Sequence, residues 1–354
     1  MSPTDTSRLR YRNHDTSDAD VSRLILDAAL PQWPLPLSST VNPAAAQAIA
    51  RTVAWQESLG LIASNTPWNS LIGLRPVELA ARGYPRADLD TLTLASEWTA
   101  WFFHIDDLFD EGVTGIDIEL SRLATETLRT LLHNPRSRNK NDHCGLPKPA
   151  MEALLDLLSR TREIMVPVQF RRFVSHLTDY ADALASEVVN RVARAVLDVD
   201  SYCALRRNTG PALPLLDLIE NAEGIRLPEN FYTSSEYDQL LNITADVASW
   251  INDLFSVEKE EARGDCHNFL LVIKKADGGT IVDTVGTVIE LIREHLGRFD
   301  GIVAALVTVP GSRQWPNVSQ IAISRWIAGL RSFLCHSSWY IGHARYRTVA
   351  AMLD

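Results

Sequence analysis

The sequence is poor in cysteine. Its four residues of that type in 354, Cys144, Cys203, Cys266 and Cys335, form no Cys-x-x-Cys and no Cys/His pairing at zinc spacing. A disulfide framework and a thiolate metal centre are thereby excluded, and reduced thiols in a cytoplasmic protein are expected. Long apolar runs are missing too: uncharged stretches such as 301–312 stop well short of the ~20 residues that span a bilayer. The first twenty residues are polar and lack the apolar core of a secretory signal, which again points to the cytoplasm. No basic tract offsets the formal charge of 34 − 44 = −10. Nucleic acid is therefore a poor partner, and an anionic substrate needs a local cation cluster or metal ions to draw it in.

Strand-like alternation is also scarce, whereas helical periodicity recurs along the chain. It predicts helices over 42–59, 76–82, 88–110, 116–133, 149–165, 168–197, 201–209, 235–262, 280–305 and 316–338, the first with a capping Asn42, Pro43 at its first turn and Gly60 as its stop. With 46% apolar and 22% charged residues the chain can bury a sizeable core. Its length would allow two domains at roughly 150 residues each. Helices of one character, however, flank the Pro/Gly/Asn-rich segment 134–148, so one all-α domain over 41–354 with an exposed loop is expected. Residues 1–40 form an N-terminal segment, in part disordered or ordered only on closure over the site. No fixed-period repeat supports a solenoid.

Two stripes of oxygen-bearing side chains carry the chemistry. Asp106, Asp107 and Asp110, in DDLFD, crowd the C-terminal end of one helix, where they repel one another and oppose the helix dipole. Alone, the cluster reads best as a solvated acidic helix end. The second stripe alters that balance: Asn252, Ser256 and Glu260, in NDLFSVEKE, recur every four residues on one helix face. An amide oxygen, a hydroxyl and a carboxylate are hard ligands of the kind magnesium takes while phosphate oxygens and water complete its shell.

With both stripes present the chain resembles a class I terpene synthase of the microbial, single α-domain type, and the match runs over roughly residues 50–350. The resemblance implies a single-domain helical bundle with a central active-site cavity. It implies three Mg²⁺ ions bound with the substrate diphosphate, held by Asp106 and Asp110 on one side and by Asn252, Ser256 and Glu260 on the other, with Lys259 reaching the diphosphate. Arg206 stands at the family's diphosphate-sensing arginine, 46 residues before Asn252, with Thr209 and Gly210 at the positions that link it to the reacting carbon. The family often has Asp where this chain has Thr209. The Gly210-Pro211 step itself must break the helix and expose carbonyls, while Arg206 offers a forked donor. Arg345-Tyr346 match the family's C-terminal pair, expected to contact diphosphate, with Arg345 pairing with Asp107 on closing. The resemblance leaves room for a homodimer.

Trp98 and Phe102 lie two turns and one turn below Asp106, with Phe103 on the neighbouring stripe. A desolvated cation gains about 2 kcal/mol over an aromatic face. Phe102, Phe103 and Trp339 are expected to wall a hydrocarbon pocket, while Trp98 suits pocket and core equally. The expected activity is Mg²⁺-dependent ionisation of a linear isoprenyl diphosphate, farnesyl first and geranylgeranyl second, followed by cyclisation to a hydrocarbon or alcohol. A chain-elongating prenyltransferase would carry a second aspartate-rich motif in place of the triad. An inactive helical scaffold would have no use for two intact ligand stripes.

Overall fold

The computed structural model describes residues 29, 32–36, 39–63, 71–110, 112–136, 145–308, 317–337 and 339–340. Among them there is no strand. The helices are α1 (Ala45–Leu59), α2 (Leu71–Gly83), α3 (Leu89–Asp110), α4 (Ile118–His133), α5 (Lys148–Ile164), α6 (Pro167–Ala193) and α7 (Val199–Thr209). Two short helices, α8 (Ala212–Asp217) and α9 (Ile219–Ala222), precede α10 (Ser235–Arg263), α11 (Phe269–Asp277), α12 (Ile281–Thr308) and α13 (Asn317–Leu334).

Helix α3 is the centre of the bundle. Every residue from Leu92 to Phe102 is buried, and α1, α2 and α5 pack around it. Helix α10 is the second axis, flanked by α7, α8, α11 and α12. The expected cap at Asn42 does more than start α1. Its Oδ1 accepts from the Ala44 amide, while its Nδ2 donates to the carbonyls of Tyr84 and Ala87 at 2.9 and 2.8 Å, tying the start of α1 to the turn before α3. Pro43 lies in the preceding turn, and the helix begins at Ala45.

Pro76, expected to open a helix, lies inside α2, which starts five residues earlier. The proline removes one backbone donor, and packing against α1 and α3 overrides that local preference. Three helices were not anticipated: α8, α9 and α11 have six, four and nine residues, too few to show a period.

A buried polar cluster fixes the short helices. Arg172 on α6 donates from Nε to Asp217 at 2.7 Å and from Nη2 to Glu220 at 3.1 Å, and His176 bonds the other Asp217 oxygen at 2.7 Å. The amide of Gln169 and the hydroxyl of Tyr232 both donate to Glu220. With Asp217 and Glu220 about 1% exposed, these bonds set where α8 and α9 sit beneath the break after α7. Of the N-terminal segment, residues 1–28 lie outside the described residues, as does most of the 134–148 loop.

Candidate active site

A cavity of about 1140 Å³, its open mouth included, lies between α3, the α7–α8 break, α10 and the end of α13. Its two ends differ in chemistry. At the mouth stand Asp106 and Asp110 from α3 and Asn252, Ser256, Lys259 and Glu260 from α10. Deeper in, Phe102, Phe103, Leu215, Ala248, Phe333 and Tyr340 supply apolar and aromatic wall.

The mouth is electrostatically strained. Burial, followed by the charges of Asp106 and Glu187, raises the Asp110 carboxyl well above its usual range. Burial, followed by the Asp253 charge, pushes Glu260 up to about 7. Carboxylates held this way bind protons or metal ions in place of one another. The donor set consists of carboxylate, amide and hydroxyl oxygens without a soft ligand, so the residues present fit a hard divalent cation.

Arg206, partly buried at the end of α7, donates from Nε to Asp253 Oδ1 at 2.9 Å and from Nη2 to Asn252 Oδ1 at 2.8 Å. Tyr202 donates to the other Asp253 oxygen at 2.6 Å. Asp253 is fully buried and acts as the anchor that aims the guanidinium at the mouth. Thr209 and Gly210 also line the cavity. A Cβ at Gly210 would come within 2.7 Å of Ser249 Oγ on α10, so close approach of the break to α10 selects glycine there.

Four expectations need correction or fall elsewhere. Trp98 does not face the cavity: it is fully buried, donates from Nε1 to Thr161 Oγ1 at 2.8 Å, and packs against Trp101, Phe102 and Phe173. It is core because its stripe points at α5 and α6. Trp339 stands behind the wall, stacked on Phe103 at 6.4 Å between ring centroids. Asp107 is exposed and outside the cavity lining. Arg345 and Tyr346 lie outside the described residues.

Several residues at the site were not singled out by sequence. Arg191 on α6 donates to Asp110 and Glu187 from Nη2 and to Asp265 from Nε, each at 2.9 Å. The carboxylates of Asp110, Glu187 and Asp265 converge closely enough to hold a metal, but here they converge on an arginine. It also bonds the carbonyls of Phe109 and Gly115, pinning the end of α3. Nothing in an i, i+4 Glu187/Arg191 pair distinguishes it from a surface pair on sequence alone. Asp265, His267 and Asn268 follow Glu260 by five to eight residues, and that closeness is the signal that could have found them. His336 lines the cavity with its Nδ1 on the Phe333 carbonyl, and burial pushes it down to about 4, so it is neutral.

Residues 97–298 match the family described as terpene synthase family 2, C-terminal metal binding. A (+)-T-muurolol synthase from Roseiflexus castenholzii is 31% identical over 312 residues, covering 88% of this chain and 92% of that protein. The chain belongs to the terpene synthase family. A (-)-delta-cadinene synthase from Streptomyces clavuligerus is likewise 31% identical, over 86% of this chain and 92% of the relative. Among solved structures, a cucumene synthase variant superposes with a TM-score of 0.76 at 26% identity, covering 89% of this chain and 100% of that one. The all-α fold of a class I terpene synthase and the resemblance read from the two stripes are thus established. As a terpene synthase the chain is a lyase that acts on prenyl diphosphates with a divalent metal. Among the described residues no helix is long and apolar enough to cross a membrane.

Proposed function

We propose that this terpene synthase is a Mg²⁺-dependent sesquiterpene cyclase that takes farnesyl diphosphate. The observation that carries the reading is one cavity with an oxygen-rich mouth facing an aromatic interior. Support for the C15 chain comes from the muurolol synthase, whose name specifies cyclisation of (2E,6E)-farnesyl diphosphate.

Asp106 and Asp110 on α3, and Asn252, Ser256 and Glu260 on α10, hold three Mg²⁺ ions with the diphosphate. The bound metal supplies Lewis acidity toward the leaving group. Arg206 and Lys259 donate to diphosphate oxygens and take up negative charge as the C1–O bond breaks with its electron pair going to oxygen. Arg345 and Tyr346 complete that shell from the chain end. Phe102 and Phe103 present ring faces to the allylic cation and its cyclised successors. Thr209 and Gly210 place the α7–α8 break beside the reacting carbon. The same proposal takes residues 41–354 as the catalytic unit and 1–40 as an N-terminal segment with a capping role.

Incubating the purified chain and Mg²⁺ separately with C10, C15, C20 and C25 diphosphates, with gas chromatography and mass spectrometry of the extracts, tests the reading. A cyclic C15 product dominating the C15 incubation is expected. Turnover of only the C20 or C25 substrate would replace farnesyl diphosphate, and a longer linear diphosphate formed in the presence of isopentenyl diphosphate would indicate chain elongation instead.

A further inference from the structure

The α10–α11 turn contains a residue whose position explains how the second ligand stripe keeps its shape. Helix α10 stops at Gly264, which adopts φ +73°, and the chain reverses to start α11 at Phe269 with Asn268 as its N-cap. Asn268 is fully buried. Its Oδ1 accepts from the Leu270 amide at 2.9 Å, which caps α11 and fixes which way round the side-chain amide sits. The Nδ2 must then face α10, where it donates to the Asp253 carbonyl at 2.8 Å and to Glu260 Oε2 at 2.7 Å, with Ser256 Oγ 3.4 Å away.

One amide thus touches two of the three residues of the stripe, and the backbone of the residue that anchors Arg206. We propose that Asn268 is a positioning residue that presets Ser256 and Glu260 for the cation. The proposal rests on the metal-binding reading above. Its physical basis is the preference of ligating carboxylates for a partner that fixes their orientation, since a free Glu side chain loses rotamer freedom on ligation. A neutral amide suits the task. Lysine or arginine in its place would neutralise Glu260 and compete with the metal, while an apolar residue would leave Glu260 and the Asp253 carbonyl without this donor in a buried setting. Coupling to the leaving-group side follows, because the Asp253 whose carbonyl Asn268 holds is the residue whose carboxylate aims Arg206.

Asn268→Ser retains a capping oxygen for α11 but cannot reach Glu260. Asn268→Thr likewise keeps a capping hydroxyl and, too short to span to Glu260, withdraws both donated hydrogen bonds without adding charge. The control is Thr280→Ala, which removes an exposed cap from α12, where Thr280 and Asp283 bond reciprocally. Isothermal titration of Mg²⁺ into each protein with saturating inorganic diphosphate, alongside circular dichroism melts without ligand, reads the effect. Both Asn268 variants are expected to bind Mg²⁺ about 10- to 100-fold more weakly, while Thr280→Ala binds like the wild type despite a comparable loss of melting temperature. Should Asn268→Ser fail to fold, Asn268→Thr carries the test. Wild-type affinity in either folded Asn268 variant, or equal weakening in the Thr280 variant, would overturn the positioning role. Absence of Mg²⁺ and diphosphate binding by the wild type would instead remove the metal-binding reading, and this proposal with it.

Discussion

Arg206 Nη2 lies 2.8 Å from Asn252 Oδ1, so the guanidinium proposed to receive diphosphate is already bonded to an amide oxygen proposed to ligate metal. An amide oxygen has two lone pairs and can accept from both at once. The pairing joins α7 to α10. Arg206→Lys keeps the charge but loses the fork that spans Asn252 and Asp253. A fall in kcat on the order of 100-fold is expected, with little change in helical content by circular dichroism. Near wild-type turnover would show that only the charge matters.

The proposed metal ligands can be removed one at a time. Asp106→Asn and Glu260→Gln each remove a charged ligand without emptying core volume, so each should abolish or nearly abolish turnover and leave the fold intact. EDTA should stop the reaction, and excess Mg²⁺ should restore it. Near wild-type rates in both variants would defeat the two-stripe site.

Gly210→Ala tests the break. The added methyl would meet Ser249 Oγ at 2.7 Å, and relieving that contact displaces either α10 or the carbonyls before α8. A stability loss of about 1–3 kcal/mol and a marked fall in kcat are expected. Ser249→Ala in the same chain removes the obstructing oxygen, and the double variant should recover much of both losses. Purely additive effects in thermal melts and kinetics would place the constraint elsewhere.

Much of this arrangement was legible in the sequence because ligand stripes on long helices obey a simple period. Asn252, Ser256 and Glu260 had to share a face of α10, and Asp106 and Asp110 had to share the end of α3. What helical spacing could not give was contact between elements far apart in the chain. Arg191 meets Asp110 across 81 residues of sequence, and Asn268 owes its role to a turn whose direction depends on Gly264. Trp98 was ambiguous for a related reason: its period fits both readings, and only the position of α5 decides that its indole meets Thr161.

The buried cluster under α8 predicts a pH dependence. His176 is lowered by burial but raised more strongly by the Asp217 charge and hydrogen bond, so it ends above the usual histidine range. A histidine raised in the folded state contributes stability that is fully present below about pH 6.5, its unfolded value, and lost as pH rises through the folded value. His267 has the same sign: burial lowers it, but the Asp265 carboxylate 3.8 Å from its Nδ1 and the adjacent Cys266 sulfur outweigh burial and push it up to about 10. His176→Gln removes one of the two contributions. The melting-temperature gap between wild type and variant should be wider at pH 6 than at pH 9; a gap that widens with pH would reverse the sign and sink the assignment.

Aromatic substitutions separate wall from core. Phe103 lines the cavity and is only partly buried, whereas Trp98 is sealed behind Phe102 with its indole nitrogen bonded to α5. Phe103→Ala removes a ring face worth up to about 2 kcal/mol to a nearby cation. Since each 1.4 kcal/mol changes a branching ratio tenfold, acyclic or monocyclic products should rise at nearly unchanged diphosphate affinity. Trp98→Ala should instead cost about 3–5 kcal/mol of stability and much soluble yield, while whatever folds makes the wild-type product. Trp339→Ala falls between them, because the indole touches Phe103 and not the cavity. Its loss frees the Phe103 ring to tilt, so the product spectrum should broaden in the same direction as in Phe103→Ala but less far. Gas chromatography of the three variants beside their melting temperatures orders them on both axes. A product shift in Trp98→Ala as large as that in Phe103→Ala would mean that the two rings act on the cation together and that the boundary drawn between wall and core is misplaced.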